Sequence, residues 1–319
     1  MEEIQDFHDF YKGIYESRWE DLFTKLTHKP LQVARLNKFL SATPDSIFPP
    51  SSVQLNFCFE IPADLNTEQN SVLSQELKKR HDDYLKYYVM DPASVLAARL
   101  APIHEGQRVL DMCAAPGGKS LILAEALNAS GELWCNELSI ERRERLKKVL
   151  QQYIPQEKRM QTWIKGLDGI KYGLKFPNEF DCVLLDAPCS GEAHLIQDKK
   201  MLQKWTVNWT KKNAARQYGL ISSAYLALKS PGFLVYSTCS LSPTENEEVI
   251  EKILHRRPEM KSIDDLNEIQ TAVNRPDAME LTQFIQKYGE RRRYGHIFLP
   301  DHCGFGPFYF CLLKKDLAS

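Results

Sequence analysis

The sequence predicts an α/β fold: a mainly parallel sheet with helices on both faces, preceded by a small, mainly helical N-terminal domain. From Gln107 onward, short β-branched or apolar runs alternate with helix-length stretches, the pattern of a parallel sheet covered on both sides. Each run ends in Gly, Asp or Pro, residues that stop a strand and turn the chain. The first 85 residues lack this alternation and carry periodic apolar positions instead. A chain of 319 residues, 43% hydrophobic and 26% charged, suits about two folded units at roughly 150 residues each. We expect them at 1–85 and 86–319.

Taken in order, DFYKGIYESRWEDLFTKL (9–26) reads as helix, followed by a Pro-rich stretch around Pro49 and Pro50 and a polar run to Arg80. Strands are expected in QRVLDM (107–112), ELWCNEL (132–138), QTWIK (161–165), FDCVLLDAP (180–188) and FLVYSTC (233–239). Helices fit between and after them at about 118–128, 140–152, 211–229 and 245–255, the last with a capping box of Thr244 and Glu247. HIFLP (296–300) and FYFCLL (308–313), separated by the Gly-Pro region 304–307, form a closing hairpin.

No window approaches the roughly 18 apolar residues of a membrane span. The net charge of −1 hides an asymmetry: residues 1–85 hold 9 basic and 14 acidic side chains, which leaves +4 for the remainder. Eight cysteines without a C-x-x-C pair argue against a structural metal site and for a reducing compartment. The opening MEEIQDFHDF has no signal-sequence pattern, so a cytoplasmic monomer is expected.

Asp111 ends the first strand and leads into CAAPGGKS (113–120), which opens a helix. A strand, a tight glycine turn and a helix N-terminus form the place where parallel sheets receive nucleotide-like ligands. A phosphate-binding G-x-x-x-x-G-K-[ST] loop would need glycine where Cys113 stands, and G-x-G-x-x-G is absent. S-adenosylmethionine has an adenosine but no phosphate, and needs acids for its ribose hydroxyls and adenine. Glu137 at the end of the second strand suits the ribose; Asp168 after the third suits the adenine amino group.

DAPCS ends the fourth strand with Asp186 and Cys189, and STCS ends the fifth with Cys239. On adjacent strands both thiols would face one cleft beside the cofactor. Cys58, Cys135, Cys182 and Cys311 lie within apolar segments and read as core. The two loop cysteines suit pyrimidine chemistry: a thiolate added at carbon 6 makes carbon 5 nucleophilic enough to accept a sulfonium methyl. Asp186, if protonated, would stabilise the adduct at N3.

CAAPGGKS, DAPCS and STCSLSPTENE resemble the Nol/Nop/Sun family of S-adenosylmethionine-dependent RNA (cytosine-5) methyltransferases over residues 86–319. YYVMDPASVLAARLAP and FGPFYFCLLKK are similar to its short bacterial and mitochondrial members, and RLN (35–37) is a fainter likeness. The resemblance implies a Rossmann-like class I methyltransferase fold with a seven-stranded sheet. It also implies Cys239 as nucleophile and Cys189 as the thiol that helps release the product. Cys113, Ala114, Ala115, Pro116, Gly117, Gly118 and Lys119, with Glu137, Arg142, Asp168 and Asp186, would hold the cofactor.

RNA, ribosomal rather than transfer RNA by this resemblance, is then the expected partner, with a ribosomal particle or accessory protein adding affinity. KKMLQKWTVNWTKKNAAR (199–216) has six basic residues and no acid, with Trp205 and Trp209 either stacking on bases or packing a helix. Arg291, Arg292 and Arg293 form a second basic run, either an RNA contact or a solvated face. Two other readings compete. A DNA cytosine-5 methyltransferase leaves Cys239 unexplained, and a non-catalytic assembly factor leaves both cysteines and Asp186 without a task.

Overall fold

The computed structural model describes residues 2–44, 53–61, 75, 77–128 and 130–317. The Pro49–Pro50 stretch and most of the polar run after it lie outside these. Strands are numbered β1 (Val33–Leu36), β2 (Cys58–Glu60), β3 (Arg80–His81), β4 (Tyr84–Leu85), β5 (Tyr87–Met90), β6 (Arg108–Asp111), β7 (Glu132–Asn136) and β8 (Thr162–Lys165). They continue as β9 (Phe180–Asp186), β10 (Leu228–Thr238), β11 (Met260–Ile263), β12 (Glu290–Arg291), β13 (His296–Phe298) and β14 (Phe308–Lys315).

The main sheet runs β12-β13-β14-β10-β9-β6-β7-β8, with β11 also pairing to β14. Its centre, β8-β7-β6-β9-β10, is parallel, and β14 closes it antiparallel. The α/β expectation holds, and so does the hairpin of β13 on β14. Among the described residues the sheet has nine strands against the seven expected. The surplus is β11 and β12, short edge strands too polar to stand out in the sequence. Because β7 and β8 extend one way from β6 while β9 and β10 extend the other, the order reverses between β6 and β9, where such sheets leave a crevice for a ligand.

Alternation along the strands builds the core on both faces. In β9, Cys182 and Leu184 enter one apolar cluster, Val183 and Leu185 the other. Cys58, Cys135, Cys182 and Cys311 are buried, as expected of core cysteines.

Helices Gly118–Leu127 and Ile140–Tyr153 lie where predicted. Val207–Ala227 begins four residues before its expected start, because Thr206 caps it by accepting from the Trp209 N–H at 3.2 Å. The capping box at 244–247 does not form. The helix spans Glu247–Arg256 behind Asn246, and the Thr244 hydroxyl instead donates to Glu248 Oε1 at 3.3 Å.

At the N-terminus, helices Glu2–Tyr15 and Trp19–Leu26 match the helical reading. Beyond them, β1 pairs antiparallel with both β2 and β5, a three-stranded sheet that crosses residue 85. Phe7, Tyr11 and Trp19 are fully buried and share an apolar cluster with Trp205 and Tyr236 of the main body.

Candidate active site

The loop after β6 turns sharply at Gly117, whose φ of +119° no side chain tolerates well. Beside it, a Cβ on Gly118 would meet the Tyr88 ring at 2.5 Å, so glycine is what allows the loop and β5 to approach. Between them lies a cavity of about 170 Å³ lined by Tyr88, Asp111, Asp186 and residues 113–119. Asp111 is buried; its Oδ2 accepts from Ser120 Oγ at 2.7 Å, while Oδ1 has no partner among the described residues. Burial pushes its carboxyl up to about 7. An open acceptor oxygen beside a glycine loop fits a ligand carrying an ammonium or hydroxyl group. It does not fit a phosphate, and Lys119 is engaged elsewhere. Cys113 is pushed well up by burial, which leaves it an inert part of the loop.

Glu137 follows β7 and is buried; its Oε1 accepts from the Ser139 N–H at 2.9 Å, and Arg142 lies 3.3 Å from Oε2. Arg142 also donates to the Ala115 carbonyl at 2.8 Å, tying Glu137 to the glycine loop. Asp168 accepts from the Ile170 N–H at 3.1 Å through Oδ1. Asn136 sets the three regions against one another. Its side-chain amide donates to the Met112 and Leu167 carbonyls and accepts from the Leu167 N–H, while its own carbonyl receives the Ala114 N–H at 2.9 Å. The ends of β6, β7 and β8 are thus joined around one side chain, with Glu137 and Asp168 held beside residues 113–115. These acids and this loop fit the adenosine and amino-acid ends of S-adenosylmethionine.

On the other side of the reversal, β9 and β10 pair with Asp186 opposite Ser237. Lys119 Nζ lies 2.9 Å from Asp186 Oδ2, and the Ser237 hydroxyl donates to Oδ1. Burial opposes the charge on Lys119, yet Asp186 outweighs it and raises the ammonium pKa; Cys239 acts in the same direction. Just beyond, Cys189 Sγ and Cys239 Sγ stand 2.9 Å apart, both unbridged. The contact with Cys239, then burial, pushes the Cys189 thiol well above its ordinary value. The two sulfurs lie close enough to share one proton, and either can donate it to the other.

Residues 97–314 match the family model of the 16S rRNA methyltransferases RsmB/F. The chain belongs to this family. It is 37% identical over 236 residues to the mitochondrial tRNA (cytosine(34)-C(5))-methyltransferase of Mus musculus, covering 73% of this chain and 65% of that one. To the 5-cytosine rRNA methyltransferase NSUN4 of the same species it is 33% identical over 240 residues, covering 72% and 60%. The chain thus spans under two thirds of the length of these relatives. In fold it is similar to NSun6 from Pyrococcus horikoshii with SFG, at a TM-score of 0.68 and 16% identity over 97% of each chain.

Within this RsmB/F member, Asn136, Ser237 and Asp111 escaped the sequence reading as site residues. Asp111 is signalled by a strand end before the glycine loop; the other two emerge only from strand neighbours. Trp205 does not meet RNA: it is buried, edge-on to Phe7 at 4.9 Å between ring centres. Lys200, Lys204, Lys211, Lys212 and Arg216 of the same strip are exposed. Of the arginine run, Arg292 lies 3.8 Å from Glu247 and Arg293 2.6 Å from Glu251, so those two serve ion pairs. Among the described residues no helix is long and apolar enough to cross a membrane, and no group of His, Cys, Asp or Glu is arranged to hold a metal.

Proposed function

We propose that this protein methylates carbon 5 of a cytosine in RNA, using S-adenosylmethionine and a covalent intermediate on Cys239. The observation that carries this reading is the paired sulfurs of Cys189 and Cys239 at 2.9 Å, beside an Asp186–Lys119 pair that lines the glycine-loop cavity. A lone reactive cysteine would need no second thiol at that distance.

In this reading the Cys239 thiolate adds to carbon 6, and its charge is eased by the nearby Lys119 ammonium. Electron density released into the ring gathers at N3, which takes a proton from the Lys119–Asp186 pair; Asp186, bound to both Lys119 and Ser237, positions it. S-adenosylmethionine supplies the electrophilic methyl group to carbon 5. A base then removes the carbon 5 proton, Cys239 leaves as a thiolate and N3 gives its proton back to the Lys119–Asp186 pair; Cys189, within hydrogen-bond reach of the departing sulfur, stabilises it and keeps it from re-adding.

The substrate we favour is ribosomal RNA, with transfer RNA next; the family's description and the two mouse relatives support these classes. The target cytosine must be unpaired or flipped out, at a cost of a few kcal/mol. With five exposed basic residues on one strip and a net charge of −1, RNA binding is modest, and a folded ribosomal particle or partner protein adds affinity.

Cys239→Ala abolishes methyl transfer, while Cys189→Ala leaves an RNA–protein adduct that survives a denaturing gel. Full activity in Cys239→Ala would remove the assigned roles. Bisulfite sequencing of total RNA from cells with and without the gene identifies the cytosine.

A further inference from the structure

Behind the two cysteine loops lies a pair of carboxyl groups that the reaction itself does not touch. Glu192 and Glu245 are both fully buried. They meet through Ser190 and Ser240, each the residue immediately after a reactive cysteine. Ser190 Oγ contacts Oε1 of Glu192 and Oε1 of Glu245. Ser240 Oγ lies 3.0 Å from Glu192 Oε1 and 3.3 Å from Glu245 Oε1, and the two hydroxyl oxygens are 3.2 Å apart.

The remaining contacts all arrive as donors. Glu245 Oε2 accepts from the Ser190 N–H at 3.0 Å and from Gln217 Nε2 at 2.7 Å. Glu192 accepts from the Tyr11 hydroxyl and, at 3.1 Å, from the Leu241 N–H. The titratable groups facing the pair are Tyr11 and Tyr15 of the first helix, Cys189, and Tyr236 of β10. No Lys or Arg among the described residues forms an ion pair with either carboxyl group.

Hydrogens can be counted. A serine hydroxyl carries one, yet Ser190 Oγ sits against an acidic oxygen on each side. It can donate to one; the other contact must be donated to it, and only a protonated carboxyl can do that. Glu192 Oε1 already receives the Tyr11 hydroxyl and, at 3.0 Å, Ser240, so the proton belongs on Glu245 Oε1, and the count closes. Glu245 donates to Ser190, Ser190 donates to Glu192, and Glu192 remains the anion that also receives Tyr11, Ser240 and Leu241. Burial followed by the charge of Glu192 pushes the Glu245 carboxyl up to about 7, in the same direction.

We infer that Glu245 is a positioning residue which works in its protonated form: with Glu192 and the two serines it locks the Cys189 loop to the Cys239 loop through one shared proton. This rests on the proposed roles of those cysteines. When the proton is lost, two anions face one another across Ser190 and the loops part, so the thiols leave register while each remains chemically intact.

The test compares Glu245→Gln, Glu245→Ala and Glu192→Gln in the full chain, with labelled S-adenosylmethionine and total RNA from cells lacking the gene. A glutamine at 245 keeps an N–H for Ser190 Oγ and a carbonyl for the Ser190 N–H and Gln217, but does not titrate. We expect kcat to fall at least a hundredfold in Glu245→Ala and Glu192→Gln and to be largely recovered in Glu245→Gln. The wild-type loss of kcat between pH 7 and 9 should be absent in Glu245→Gln. Equal loss in both glutamine variants, or an unchanged alkaline limb in Glu245→Gln, overturns the assignment.

Melting curves decide the proton independently of activity. A carboxyl raised from about 4.5 to about 7 by folding favours the fold at low pH and loses that contribution as pH rises through this window. The wild-type melting temperature should therefore fall relative to that of Glu245→Gln from pH 5 to pH 8. Parallel curves would refute the shared proton even if the cysteine roles stood, and an inactive wild type would refute those roles while the melting comparison still held.

Discussion

The Ser237 hydroxyl donates to Asp186 Oδ1 across 2.8 Å from the position directly in register on the neighbouring parallel strand. Strand pairing, rather than loop geometry, thus fixes one oxygen of the carboxylate, and Lys119 fixes the other. Removing the hydroxyl in Ser237→Ala leaves the ion pair but frees the carboxylate to rotate. One hydrogen bond to a charged group is worth about 1.5–3 kcal/mol, so kcat should fall roughly tenfold or more, with little change in KM for RNA. Steady-state methyl transfer measures both.

Trp205 and Trp209 give opposite results when truncated. Trp205 is buried against Phe7, Phe10 and Tyr11. Trp205→Ala should cost about 3–5 kcal/mol of stability. Trp209→Ala, at a half-buried position, should cost far less. Chemical denaturation reads the difference.

His296 makes the fold acid-sensitive. It stacks on Phe310 at 5.5 Å between ring centres, with Nδ1 unpartnered among the described residues, and burial lowers its pKa to about 4. The unfolded chain binds this proton near pH 6.5, so the stability contribution is complete above that value and lost as pH falls toward 4. At full protonation the loss is at most about 3 kcal/mol. His296→Phe keeps the stack, and its melting temperature should drop less than that of the wild type between pH 7 and pH 4.5.

Lys211 and Lys212 are exposed in the first turns of the helix that also carries Gln217. If they contact phosphates, Lys211→Glu with Lys212→Glu weakens RNA binding and reduces the slope of log affinity against log salt by roughly 1–2. Filter binding at several salt concentrations tests this; an unchanged slope moves the RNA to another face.

The strand ends could be read from the sequence because each apolar run of the parallel centre stops at a chemically distinctive residue. Asp111, Glu137, Asp186 and Cys239 all follow such runs, and a parallel sheet places all those ends on one side. Asn136 could not be read this way: its task exists only because the ends of β6 and β8 converge on it, and an asparagine at a strand end looks like an ordinary turn residue. Trp205 stays open between a base and a helix in the sequence for a related reason. It sits in a stretch rich in lysine, while the aromatic surface that covers it comes from residues 7–19. Asp186 was found, but its partner Lys119 was read only as part of the glycine loop.

The first helix has a further consequence. Tyr11 reaches Glu192, 181 positions away, and Tyr15 reaches the Leu241 carbonyl, 226 positions away. At about 5–20 residues per second of synthesis, the first helix emerges roughly ten to forty seconds before its partners exist. During that interval its aromatic face has only Trp19 of the next helix to pack on, so the nascent chain offers a hydrophobic segment to chaperones. The two cysteine loops cannot be braced until most of the polypeptide has left the ribosome.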